Sequence, residues 1–186
     1  MAAHPPSVAP RAVSTLFAAG VLLNCAFGQA IKAKPARAEP RILFVCEHGA
    51  AKSVIAASTF DKLAKEQRLP HRALFRGVHP DATLNPVAKD GLERDGVDTS
   101  GWKPTLVTQK DVDEASRVVT LGCMLPGGLH ARRQVTDWND IPSPSENYSR
   151  ARDHIKEKVR NLVAELANEE RTPKERENDK LKGSHK

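Results

Sequence analysis

Aromatic side chains are scarce in this 186-residue chain, where Phe, Trp and Tyr together make up 4% of the sequence. Proteins that grip nucleic acid usually combine a gathered basic surface with rings for stacking. Here the charge is +6 and the pI near 9.4, which favours anionic partners, but the basic residues are scattered, so nucleic acid is not an expected one. Cysteine is sparse too. The three residues, Cys25, Cys46 and Cys123, are too few for a disulfide scaffold and lack the paired spacing of a zinc site, so each is read singly and no metal or cofactor is expected. Acidic residues are absent before Glu39. Within that stretch Arg11 precedes an apolar segment, Ala12 to Phe27, which runs out in small residues around Gly28 and Ala30. This is the pattern of a secretory signal peptide. Residues 1–30 are therefore expected to direct export to the periplasm or beyond, with 31–40 as a linker and Cys25 as filler in the apolar segment. That segment is short for a bilayer span, so a membrane becomes a partner only if the signal stays attached.

What the chain does have is a stretch around which the rest is arranged, RILFVCEHGAAKS, from Arg41 to Ser53. A compact apolar run ends in Cys46, a loop of mostly small residues follows, and Lys52-Ser53 opens a helix. A buried strand that delivers a cysteine to a loop before a helix puts sulfur near free backbone N–H groups and the positive end of a helix dipole. Such a place binds anions and supports a thiolate. The bland alternative is that Cys46 is a small apolar residue at a strand end.

Onward from that loop, Ser53 to about Gln67 reads as a helix and Ala73 to Phe75, ending at Gly77, as a second strand. Asn85 before Pro86 is an N-cap with proline at the first helical position, and Gly96 is the stop. Thr105 to Val107 reads as a short strand, and Thr108-x-x-Asp111 as a capping box for a helix ending near Ala115. Arg117 to Leu121 is a buried strand that again ends at a cysteine, Cys123, and Gln134 to Thr136 is a last short strand. Tyr148, Ala151, Ile155, Val159, Leu162, Val163 and Leu166 recur at helical spacing over about 20 residues. From Asn168 the chain is almost wholly polar and reads as a charged, solvated tail over 168–186. With 39% hydrophobic residues there is enough for one core. Alternating strands and helices predict an α/β fold, doubly wound, with a mostly parallel sheet of about four strands and helices on both faces. Ligands then belong beyond the strand C-termini, where Cys46 and Cys123 both fall.

Four segments, VCEHGAAKS, FRGVHPDATLNPVAKDGLERDGVDTSGWKP, VVTLGC and WNDIPSPSENY, give residues 41 to about 167 a resemblance to the low-molecular-weight protein tyrosine phosphatases and the arsenate reductases that share their fold. The resemblance implies a loop of the form Cys-x5-Arg-Ser/Thr. In it Cys46 is the nucleophile, the backbone of Glu47, His48, Gly49, Ala50 and Ala51 binds the anion together with Lys52, and the Ser53 hydroxyl supports the thiolate. Two positions depart from the pattern. Lys52 stands where an Arg is expected, and Ser143, before Pro144, stands where the family has the Asp that protonates the leaving group. Asp140 and Glu146 are the leading substitutes for that proton donor, ahead of Asp137 and His48. The implied ligand is phosphate or an arsenate-like oxyanion, with a phosphoprotein as a further candidate substrate.

Three activities compete under this resemblance. One is a phosphatase-like hydrolase working through a Cys46 phosphocysteine with weakened or altered turnover. Another is a thiol-dependent arsenate reductase with Cys123 as the second thiol. The remaining one is an oxyanion-binding protein that has lost its chemistry. In an oxidising compartment, Cys46 and Cys123 are further expected to bridge.

Overall fold

The computed structural model describes residues 39–171. The segment assigned to a signal peptide, most of the linker and the tail beyond Arg171 lie outside the described residues.

The apolar run is the central strand. β1 (Arg41–Cys46) has Ile42, Leu43, Phe44 and Val45 fully buried, because it is flanked by strands on both edges and covered on both faces. The sheet holds β2 (Arg72–Gly77), β3 (Ala115–Thr120) and β4 (Val135–Asp137) in the order β2-β1-β3-β4, all parallel. Alternate side chains of β1 serve different layers. Ile42 and Phe44 join Val119 in one core against α1 (Lys52–Glu66) and α4 (Tyr148–Glu170), which also takes in Ala88 and Leu92 of α2 (Pro86–Arg94). Leu43 and Val45 join Val118 and Val107 in a second core against Val112 of α3 (Gln109–Glu114). Helices therefore lie on both faces, as the strand and helix alternation predicts.

Local signals explain most boundaries. The Asn85 side chain accepts from the Ala88 amide at 3.2 Å ahead of Pro86, and Thr108 and Asp111 form a reciprocal capping box. Three expectations need correction. Thr105 to Val107 is not a strand of the sheet, since only Leu106 bridges to Gly77. Ala115 belongs to β3 rather than to the preceding helix, and β3 ends at Thr120. The polar tail does not begin at Asn168, because α4 continues through Asn168, Glu169 and Glu170, where Glu169 pairs with Arg117 at the foot of β3. A helix already anchored by its apolar stripe can extend through polar residues at little cost.

β1 pairs with β2 on one side and β3 on the other, so the chain reverses direction of winding between them. The crevice at such a reversal, beyond the strand C-termini, is where open α/β sheets bind ligands. Cys46 ends β1 at that point.

Candidate active site

Cys46 is 6% exposed, and its Sγ lies 3.2 Å from Oγ of the fully buried Ser53. As a thiol it donates to Oγ; once ionised it can accept from the same hydroxyl. Ser53 is the second residue of α1, so strand end and helix start meet across the loop Glu47–Ala51.

The loop is held from outside by its carbonyls. Those of Cys46, Glu47, His48 and Ala50 accept from the amides of Val78, His79, Asp81 and Asn85 at 3.1, 2.7, 3.1 and 3.0 Å. This support needs close backbone approach. Gly49 takes φ +61, and a Cβ added there would stand 2.7 Å from the Gly77 amide nitrogen, while one added at Gly77 would stand 2.8 Å from that of Gly49. With the carbonyls spent outward, the loop's N–H groups have no acceptor among the described residues. α1 completes the arrangement by what it lacks: α2, α3 and α4 each carry a side-chain cap, whereas its N-cap is Ala51, with no side-chain hydrogen bond. Its first amides and its dipole are left for an anion.

The charged side chains of the loop have separate destinations. Glu47 pairs with His79 at 2.7 Å and His48 with Asp81 at 3.3 Å, both near the surface. These two residues thus contribute backbone to the anion site and side chains to its rim. The Lys52 ammonium leans on the turn after β3, where a Cβ built on Gly122 would lie 3.8 Å from its Nζ and 3.9 Å from Cα of Asn139. Lys52 has no carboxylate partner among the described residues.

The candidate proton donors are dispersed. Asp140 binds Lys158 at 2.9 Å and His154 at 3.3 Å on α4, and the Lys158 hydrogen bond foremost holds its carboxyl below the usual range. A carboxylate so held accepts protons poorly and has none to give at neutral pH, so the expectation that Asp140 supplies the leaving-group proton finds no support in its surroundings. Asp137 ends β4 and accepts from the Thr120 hydroxyl at 2.8 Å and the Gly122 amide at 3.3 Å, tying the ends of β3 and β4 together. Glu146 is exposed in the turn after Ser143, and neighbouring Ser145 accepts from Asn85 at 3.1 Å. Sequence reasoning did not see that Glu47 and His48 are cross-linked to the segment 79–81, since neither pair is close in the chain.

Cys123 is half-buried beyond β3, its Sγ directed at the Val45 carbonyl at 3.5 Å. Burial foremost, with the neighbouring Cys46, Glu47 and Asp137, pushes its thiol up to about 11. Cys46 and Cys123 are both free, so the expected bridge is not formed.

A cysteine at a strand end, facing a hydroxyl across a short loop whose amides open onto an uncapped helix, defines the class: α/β proteins with a thiol set in a phosphate-loop-like turn. Within that class, the sequence profile of the low molecular weight phosphotyrosine protein phosphatases matches residues 41–172, and the chain belongs to that family. Among solved structures it is similar to an arsenate reductase from Archaeoglobus fulgidus, at 29% identity and TM-score 0.56, covering 66% of this chain and 98% of that one. It is similar as well to an arsenate reductase in a phosphate-binding state (24% identity, TM-score 0.58, 68% and 98% covered). A third is the low molecular weight protein tyrosine phosphatase of T. tengcongensis (18% identity, TM-score 0.57, 68% and 99% covered). No curated protein matches.

Proposed function

We propose that this chain is a phosphomonoester hydrolase in which Cys46 takes the phosphoryl group as a phosphocysteine, with turnover weakened relative to its family. The observation that carries this reading is the 3.2 Å contact between Cys46 and Ser53 within a loop of unspent amides. Sγ attacks phosphorus, the bond to the leaving oxygen breaks, and water then cleaves the sulfur–phosphorus bond. Loop amides and Lys52 face the equatorial oxygens. A lysine cannot offer the two-pronged grip of a guanidinium, and one missing charge-assisted hydrogen bond is worth about 1.5–3 kcal/mol, or roughly 10- to 100-fold in rate. Hydrolysis of an aryl phosphate by the chain and by its Cys46→Ser variant tests the assignment: loss in the variant supports it, and equal rates overturn it.

A second reading is favoured by Cys123 and by the relatives whose names are arsenate reductases. Here Cys46 bonds to arsenic as water departs, and a second thiolate then attacks Cys46 Sγ. The arsenic–sulfur pair of electrons stays on arsenic, giving arsenite and a disulfide. Because the Cys123 thiol is held neutral, a small external thiol is the better resolving partner at neutral pH. Arsenite release in the presence of such a thiol, compared between the chain and Cys123→Ser, tests this: retained activity assigns resolution to the external thiol, and no arsenite removes the reading. Export belongs to the same proposal and rests on residues 1–30; fractionation of cells expressing the full chain tests it.

A further inference from the structure

We propose that Lys52 is both the cation of the anion loop and the acid that protonates the departing group, an inference that rests on the phosphatase reading. Ser143 occupies the position from which the family donates this proton, and a serine hydroxyl is too weak an acid to do so. The neighbouring titratable side chains, Glu146 apart, are otherwise engaged. Glu47 is paired with His79, His48 with Asp81, Asp137 with the Thr120 hydroxyl and Gly122 amide, and Asp140 with Lys158 and His154. Of the loop's own ionisable side chains, Lys52 is the one without an ion-pair partner among the described residues.

Its position suits the task. Lys52 opens α1 beside Ser53, and its ammonium lies by Gly122, in the turn after β3, against which the backbone of Asn139, in the turn after β4, also comes. The second turn leads to the segment that carries Ser143. The ammonium is therefore directed from the loop toward the turn from which the segment carrying Ser143 departs. Chemistry separates the two roles a cation can play here. A guanidinium stabilises charge and keeps its protons, whereas an ammonium stabilises charge and can also surrender one. The substitution of Lys for Arg and the substitution of Ser for Asp are on this view complementary.

The step balances as follows. Cys46 Sγ forms a bond to phosphorus, the phosphorus–oxygen bond breaks, and the leaving oxygen takes a proton from Lys52 Nζ, which becomes a neutral amine. Water attacking the phosphocysteine returns a proton to that amine, restoring the thiolate and the ammonium and releasing phosphate.

Restoring the family's residue by Lys52→Arg tests the inference, because it keeps the charge and removes the proton. Two probes are needed: 4-nitrophenyl phosphate, whose leaving group departs unprotonated, and phenyl phosphate, whose leaving group needs a proton. Regaining the two-pronged grip acts on both esters alike, so we expect the ratio of kcat on 4-nitrophenyl phosphate to kcat on phenyl phosphate to rise about 100-fold in Lys52→Arg, the lower end of what a general acid contributes. Competitive inhibition by inorganic phosphate should be retained, which reports an intact loop. An unchanged ratio between the two esters in Lys52→Arg overturns the inference. So does a selective loss on phenyl phosphate in Glu146→Gln with none in Lys52→Arg, which assigns the proton to Glu146. Failure of the parent chain to hydrolyse either ester in a Cys46-dependent way overturns the phosphatase reading and this inference with it, and is told apart by the Cys46→Ser comparison.

Discussion

Ser53→Ala removes one oxygen atom and leaves the buried Cys46 sulfur without its hydroxyl. A hydrogen bond to a charged group is worth about 1.5–3 kcal/mol, so alkylation of Cys46 by iodoacetamide should slow about 10- to 100-fold at fixed pH, and ester hydrolysis with it. Cys123 has the opposite character. Its thiol is raised from an ordinary 9.0 to about 11, chiefly by burial, so between those values the folded chain keeps a proton that the unfolded chain releases. Stability should fall as pH rises through that window. Thermal melts from pH 8 to 11 should therefore decline more steeply for the parent chain than for Cys123→Ser, which has no thiol to titrate there. The gathering of Cys46, Lys52 and Ser53 at one loop is legible in sequence because these residues are neighbours in the chain. Asp140 is not, because its carboxylate is settled by Lys158 and His154 on a different helix.

Among the elements, α2 and α4 meet through a contact that hydrophobic spacing does not announce. Tyr148, the first residue of α4, lays its ring on Gly91, where an added Cβ would come within 2.4 Å of ring carbons. Its hydroxyl donates to Asp95 at 2.8 Å, and the guanidiniums of Arg94 and Arg152 lie 6.0 and 5.7 Å from the ring centre. Gly91→Ala should force this ring aside and cost about 1–3 kcal/mol, read as a lower urea midpoint with an unchanged slope. The helices themselves follow from local chemistry: Asn85-Pro86, the Thr108–Asp111 box and the stripe from Tyr148 to Leu166 each carry their own start or face. Thr105 to Val107 misleads because a β-branched, apolar triplet satisfies strand propensity, while only Leu106 has a strand neighbour to bridge. The missing cap on α1 is legible as Ala51, yet its meaning appears only once the other three caps are set beside it.

For the molecule as a whole, one buried base should contribute to the loss of stability on the acid side. His71 is 4% exposed between β2 and the end of α1, its Nδ1 has no hydrogen-bond partner, and burial foremost lowers its affinity for a proton despite Glu169 and Glu170 nearby. The unfolded chain takes up that proton near pH 6.5 and the folded chain resists it. The associated stability is therefore present above 6.5 and is lost as pH falls below it. Replacement by Leu should flatten the fall in melting temperature between pH 7 and 5, and an unchanged slope would assign the acid limit to other groups. Fold class was within reach of the sequence, because a central strand such as RILFVC can be covered on both faces in few ways. The outward turning of the loop's carbonyls was not, because it depends on a segment some thirty residues further along the chain. That turning divides the backbone into two populations. The amides of Val78, His79, Asp81 and Asn85 are locked into the loop's carbonyls and should exchange slowly with deuterated solvent whether or not an anion is present, whereas those of Glu47 to Lys52 should exchange quickly in the empty protein and slow when phosphate is added. The protein would then report occupancy of its loop through six consecutive residues whose shape does not change, an isotopic record of binding that requires no turnover.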